Sequence, residues 1–243
     1  MRKVLVCFSD DRMTQSKEVC VNSAMRNGFD VCWPQNPNTI SQEFKEFNKE
    51  IFKHERGFGY WLWKSYHVYK AILQLQEGDI LVYSDAGVEW INNVDHLINA
   101  MDEDIFFFSN GHQHIHWCKA IVRHLICLGS GNEQQVQASV ILFKVNQKTI
   151  DFVKEWLMYC QLPGFIDDSK SLIPNHPEFA EHRHDQAILT CLQIKYNFKL
   201  HWWADSLWYE SQRYRWPEDK YPSMFIHHRK RDKGKGENKN PEW

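Results

Sequence analysis

A carboxylate stands at the end of an apolar run in Gly78-Asp79-Ile80-Leu81-Val82-Tyr83-Ser84-Asp85-Ala86-Gly87. A run of this length reads as a buried strand. A residue at the C-terminal tip of such a strand emerges where open α/β sheets hold their ligands. Gly87 allows the backbone to turn sharply beside whatever Asp85 holds. A carboxylate so placed can bind a hard cation, and the cation can bind a diphosphate. One Asp is a weak metal site, so the remaining ligands must come from elsewhere in the chain, from phosphate oxygens or from water. The bland alternative is an N-cap for the Val88-Glu89-Trp90 segment.

Other stretches carry groups that could act with it. Gly57-Phe58-Gly59-Tyr60-Trp61-Leu62-Trp63-Lys64 contains Gly-x-Gly, but Leu62 stands where a dinucleotide fingerprint needs its third glycine, which excludes that reading. Its glycines permit close backbone approach, its aromatics can wall a pocket, and Lys64 offers positive charge to phosphate. The alternative is an aromatic core loop with Lys64 reaching out to solvent. Glu181-His182-Arg183-His184-Asp185-Gln186 is a polar cluster opening an apolar-periodic helix. Asp185 either faces a cleft, as a carboxylate for sugar hydroxyls or transition-state charge, or caps that helix together with His184. In Phe225-Ile226-His227-His228-Arg229, neutral imidazole suits Mn²⁺ and Arg229 suits phosphate, although a His pair near a chain end is more often surface decoration. Gln134-Gln135-Val136-Gln137-Ala138-Ser139 puts amides and small residues at a strand mouth, which suits carbohydrate hydroxyls. His112, His114 and His116 alternate as zinc ligands on a strand would, but no Cys or carboxylate lies at a suitable local spacing; Trp117 beside them could stack on a sugar. There is no Gly-x-Ser-x-Gly elbow and no Walker A sequence, which argues against serine hydrolases, kinases and ATPases.

The chain that must position these groups alternates strand and helix. Strands are expected over 4–8, 29–33, 79–84, 104–109, 139–145 and 198–202. Helices are expected over 17–27, 41–53, 66–76, 94–101, 117–128, 147–159 and 185–194. Such alternation predicts an α/β domain with a mostly parallel central sheet and helices on both faces. It spans 1–229, and a flexible basic tail over 230–243 follows, rich in Lys, Gly, Asn and Glu.

Composition sets bounds on partners and setting. At 243 residues and 43% hydrophobic content the chain can bury one large core, and a net charge of −2 gives no pull toward nucleic acid or anionic membrane. The seven cysteines, at 7, 20, 32, 118, 127, 160 and 191, include no Cys-x-x-Cys pair. They read as reduced thiols, not as a disulfide framework or a zinc cluster. The Val4–Phe8 run is too short for a signal or membrane span, and no Asn-x-Ser/Thr sequon occurs, so a cytoplasmic protein with no transmembrane segment is expected.

Taken in order, these stretches resemble GT-A-type glycosyltransferase domains of a group found in bacteria and large DNA viruses. The residues that carry the resemblance are Gly57–Lys64, Gly78–Gly87, Trp117–Lys119, Gln134–Ser139, Trp156, Ile166–Asp168, His182–Gln186 and His227–Arg229, so it covers nearly the full length. It implies a single Rossmann-like GT-A domain, a nucleotide-diphosphate-sugar donor (a UDP-sugar foremost), a glycan or other hydroxyl acceptor, and Mn²⁺ or Mg²⁺. By the same resemblance Phe8, Ser9 and Asp10 line the nucleoside, while Lys64, Ser84 and Arg229 belong to the diphosphate site. Asp85 with one of His227 or His228 holds the metal, and Asp185 and Gln137 face the transferred sugar and the acceptor. Many GT-A enzymes carry Asp-x-Asp; here position 87 is Gly, which leaves fewer protein ligands for the metal. Retention of configuration is favoured, because no general base stands out beyond Asp185. A nucleotidyltransferase on a similar sheet would carry a Gly-rich basic loop after its first strand, where this chain has Ser9-Asp10-Asp11-Arg12. A catalytically degenerate nucleotide-sugar binder is the other alternative. Gly87 favours it; Lys64, Asp185 and the His-His-Arg run speak against it.

Overall fold

The computed structural model describes residues 1–129, 131–206 and 220–228. The predicted tail over 230–243 and Arg229 lie outside the described residues. In chain order the strands are β1 (Lys3–Phe8), β2 (Val31–Gln35), β3 (Ile80–Ser84), β4 (Val88–Trp90), β5 (Ile105–Gln113), β6 (Gln134–Lys144), β7 (Leu200–His201) and β8 (Phe225–His227). The helical segments are α1 (Thr14–Arg26), α2 (Gln42–Phe47), α3 (Lys49–Phe52), α4 (Gly57–Tyr60), α5 (Leu62–Ile72), α6 (Asp95–Ile98), α7 (Ala120–Ile126), α8 (Gln147–Cys160) and α9 (His184–Tyr196).

Six strands form one sheet in the order β2-β1-β3-β6-β5-β7. The β1–β2, β1–β3 and β5–β7 pairs are parallel, and β6 runs antiparallel to both β3 and β5. The expected α/β architecture, a mostly parallel sheet with helices around it, is what the chain forms. A separate antiparallel ribbon pairs β4 with β8, Val88 opposite His227.

Alternation along the strands divides the core in two. Val4, Val6, Phe8, Leu81 and Tyr83 face one side with Leu62, Val68, Trp156 and Ile188 of α5, α8 and α9. Leu5, Cys7, Ile80 and Val82 face the other, with Cys20 and Ala24 of α1 and with Trp90 and Phe225 of the ribbon. The small side chains of α1 let it lie close to the ribbon, where Ser23 Oγ accepts the Trp90 amide at 3.0 Å.

Candidate active site

Strand parity sends Tyr83 to the α5–α9 side, and the corner beyond it keeps that position because the Asp85 amide still donates to Ser139 O of β6 at 2.8 Å. Tyr83 donates its hydroxyl to Asp85 Oδ1 at 2.5 Å. Lys64, in the first turn of α5, sends its ammonium to the same place. Nζ lies 3.3 Å from Asp85 Oδ1 and 3.2 Å from Asp185 Oδ2, and donates to Ala138 O at 3.1 Å. Lys64 is only 4% exposed, so the solvent-reaching alternative is excluded. Burial works against its charge, but Asp185 and Asp85 outweigh that and hold the ammonium above its ordinary range. Asp185 sits in the first turn of α9, where the helix dipole favours a negative charge, and Trp156 of α8 donates to its carbonyl at 3.2 Å. Burial pushes the Asp185 carboxyl up to about 6 despite Lys64, and the like charge of Asp85 adds to the rise. The N-cap position of α9 is Arg183, whose side chain makes no capping hydrogen bond, so neither Asp185 nor His184 is the N-cap residue.

What brings Lys64 inward is the backbone before it. Gly57, Phe58, Gly59, Tyr60 and Trp61 all have positive φ, between 52° and 81°. Tyr60 N donates to Arg56 O and Trp61 N to Gly57 O, so α4 is one turn of left-handed helix. The three non-glycine residues cost roughly 1–2 kcal/mol each in this conformation. Ring contacts offset it: Phe58 meets Phe52 and Phe8, and Tyr60 and Trp61 both stack on His184, with centroids at 4.8 and 5.3 Å. Trp63 Nε1 ties the turn to Gly57 O at 2.8 Å. Burial lowers the His184 imidazole to about 3, so it packs as a neutral ring.

Lys119, His182 and His184 share a task invisible in their sequence positions. Lys119 Nζ donates to Gly164 O and Asp167 O, His182 Nε2 meets Phe165 O, and His184 Nδ1 meets Ile166 O. Four successive carbonyls are thereby pinned, which sets Asp168 beside Arg56 at 3.1 Å; Arg56 also meets Glu181 at 2.7 Å. A cleft of about 620 Å³ opens against residues 168–175 and Glu181; none of Lys64, Asp85 and Asp185 lines it.

The missing second carboxylate has a steric cause. A Cβ at Gly87 would lie 2.6 Å from His228 O, and the His228 amide donates to Gly87 O at 2.7 Å. The backbone of the C-terminal segment fills the place of a second Asp. The His pair is therefore no surface decoration: β8 carries it along the Asp85 corner. Asp205 Oδ2 lies 2.9 Å from His227 Nδ1 and accepts the His227 amide at 2.6 Å. That leaves His227 Nε2 buried with no hydrogen-bond partner among the described residues, the arrangement in which carboxylate-oriented imidazoles ligate metals. Asp85, His227 and His228 do not, however, belong to any set of three close ligand atoms among the described residues.

The other predicted site residues fall unevenly. Phe8 is packed in the core, 3.9 Å from the Trp63 ring, and Arg12 engages both Asp10 oxygens, its guanidinium at Oδ2 (2.5 Å) and its amide at Oδ1 (2.9 Å). Ser9 is buried with its hydroxyl unpartnered among the described residues. Ser84 faces α1, where it accepts from Cys20 Sγ at 3.5 Å, on the side opposite Tyr83. Gln137 is half-buried on β6. Trp117 already carries the Arg183 guanidinium over its ring at 4.4 Å. The residue reading missed Tyr83, Gln135 and Asp205. Gln135 accepts from Asn110 at 3.0 Å and from Gln186 at 2.9 Å, and Gln186 accepts the Ala138 amide, which joins β6 to α9. The amide-rich 134–139 segment was the available signal for Gln135; nothing local marks Asp205.

No protein-family model and no curated protein sequence matches the chain. Its fold is that of GT-A glycosyltransferases. The galactosyltransferase LgtC, solved with donor and acceptor sugar analogues, is similar over 93% of this chain and 86% of its own, with 13% identity and a TM-score of 0.54. An active-site mutant of LgtC is similar over the same shares at a TM-score of 0.52, again with 13% identity. The bifunctional glycosyltransferase WbbM matches 79% of this chain at 12% identity and a TM-score of 0.48; the match spans 37% of that protein's length. At such identities the likeness is one of fold.

Proposed function

We propose that this chain is a glycosyltransferase that moves a sugar from a nucleotide diphosphate, a UDP-sugar foremost, to a carbohydrate or other hydroxyl acceptor. The observation that carries the reading is the buried Lys64 ammonium held between Asp85 and Asp185 at the C-terminal end of β3, in a GT-A fold. Lys64 would bind and neutralise the leaving diphosphate. Ser9, whose buried hydroxyl lacks a partner among the described residues, would contact the nucleoside. Asp85 and His227 would hold Mn²⁺ or Mg²⁺ with the donor's phosphates completing the sphere; bound there, the ion would supply further charge neutralisation at the diphosphate. Asp185 and Gln137 would border the transferred sugar. Because Asp185 is engaged by Lys64, it is poorly placed to deprotonate an acceptor, which favours retention.

Calorimetric titration with UDP-, GDP-, CMP- and dTDP-sugars, each with Mn²⁺ or EDTA, tests the reading. Binding of one nucleotide family with metal, lost in Asp85→Asn at unchanged melting temperature, is the expected result. Binding of none, or undiminished metal-dependent binding by Asp85→Asn, overturns it. The anomeric configuration of the product, read by NMR, decides retention.

A further inference from the structure

Away from the Lys64 cluster, three metal-ligating side chains from three segments converge, with a fourth, Cys127, beside them. His114 follows β5, Cys118 precedes α7, Cys127 follows α7, and Cys191 lies in the middle of α9. His114, Cys118 and Cys191 are each 0% exposed, and their ligand atoms lie within 4.8 Å of one another. His114 Nε2 is 3.3 Å from Cys191 Sγ, and Cys118 Sγ is 3.9 Å from Cys191 Sγ. The half-buried Cys127 thiol, held by Arg123 O at 3.4 Å, neighbours Cys191 but lies outside this close set. Two of the seven cysteines thus meet one imidazole and a third lies next to Cys191, although no two of the three are close in sequence at a zinc-motif spacing.

The distances fit a metal. Zinc bonds of about 2.3 Å to sulfur and about 2.0–2.1 Å to nitrogen give tetrahedral edges of roughly 3.8 Å between two sulfurs and roughly 3.5 Å between sulfur and nitrogen. The two separations fall near these edges before any ion pulls the ligands together. With Cys127 drawn in as fourth ligand, the donor set would be three thiolates and an imidazole, that of a structural site, and it selects a soft or borderline cation over Mg²⁺ or Mn²⁺. Buried cysteines commonly act as small apolar residues. An imidazole packed wholly among them is a poor exchange for water, and His114 Nδ1 has no hydrogen-bond partner among the described residues.

We propose that His114, Cys118, Cys127 and Cys191 form a structural zinc site that clamps α7 to α9. Its consequence is positional. Lys119, next to Cys118, pins the Gly164 and Asp167 carbonyls, and α9 carries Asp185, so the ion would fix the 164–167 loop relative to the Lys64 cluster. The site is independent of the donor and of Asp85, and zinc binding there would reverse the expectation that the dispersed cysteines are plain reduced thiols.

The test uses the full chain, reduced and stripped with chelator. Added Zn²⁺ should bind at one equivalent and raise the melting temperature by ~5 °C or more when in large excess over its dissociation constant. Co²⁺ in its place should give the visible bands of tetrahedral thiolate ligation, a readout that needs no variant. Cys191→Ser should weaken Zn²⁺ binding at least 100-fold and alter the Co²⁺ bands, whereas Cys32→Ser should leave both unchanged. Absence of a Co²⁺–thiolate spectrum in the reduced protein overturns the site, as does equal Zn²⁺ uptake by the Cys118→Ser/Cys191→Ser double variant. A Cys118–Cys191 disulfide that persists in millimolar reductant overturns it as well.

Discussion

Lys64 joins the two carboxylates of the candidate site, and its removal has a calculable effect. Breaking a buried ion pair by deleting one partner typically costs about 3–5 kcal/mol. In Lys64→Met, Asp185 loses its counter-ion and titrates still higher than its present value of about 6. The wild-type contribution of Asp185 falls as pH rises from its unfolded value to about 6 and is flat above; in the variant the fall continues past 6 at up to about 1.4 kcal/mol per pH unit. Urea midpoints at pH 6 and pH 8 should therefore show a larger defect at pH 8. Turnover at pH 7, read as released nucleotide, should drop roughly 100- to 1,000-fold. A second buried residue works in the opposite pH range. His67 packs against the Phe8 ring and burial lowers it to about 3. The unfolded chain takes up its proton near pH 6.5, so the stability from this site is complete above that pH and is lost as pH falls toward 3. Between pH 6.5 and 5 the loss is about 2 kcal/mol. In His67→Leu the stability difference between those pH values should shrink by about that much; no change would place the acid sensitivity elsewhere.

Among the elements, the C-terminal ribbon and the left-handed turn were the least legible, and both carry the site. The apolar rows of β1, β3, α8 and α9 announce themselves because burial on one face or both leaves a periodic trace. α5 begins at Leu62, four residues before the expected start, because the aromatic and glycine residues ahead of it carry no helix signature. β6 begins at Gln134 rather than 139, since its amides look like loop until Gln186 and Asn110 satisfy them. β4 and β8 have three residues each and pair over a separation of more than a hundred positions, which no local pattern reports. Two glycines test these elements. Gly87→Ala would press a Cβ against His228 O at 2.6 Å, a backbone atom that can move only if the ribbon opens. It should weaken metal-dependent donor binding at least tenfold while the far-UV circular dichroism is kept. Gly57→Ala places a methyl 2.4 Å from the Trp61 ring at a φ of 58°. Overpacking and left-handed strain together predict a loss of about 2–4 kcal/mol, read from urea unfolding.

At the scale of the whole molecule, the C-terminal segment is part of the core. Tyr221, Met224 and Phe225 are buried against the α1 face of the sheet. Deleting residues 220–243 removes all three, at about 1.5–3 kcal/mol each. That approaches the entire stability of an ordinary domain, so the truncated chain should lose cooperative thermal unfolding; a truncation that melts as sharply as the full chain would show β8 to be peripheral. The residues by themselves determined the α/β class and the apolar rows that divide the core, and singled out Asp85, Lys64 and Asp185 as candidates, since hydrophobic period and residue chemistry are local properties. Only the tertiary structure decided that Lys64 turns inward between two carboxylates, that Gly87 yields to the His228 backbone beyond β8, and that His114 meets Cys118 and Cys191. Those facts depend on contacts between positions far apart in the chain, and side-chain packing selects them only once the sheet has closed.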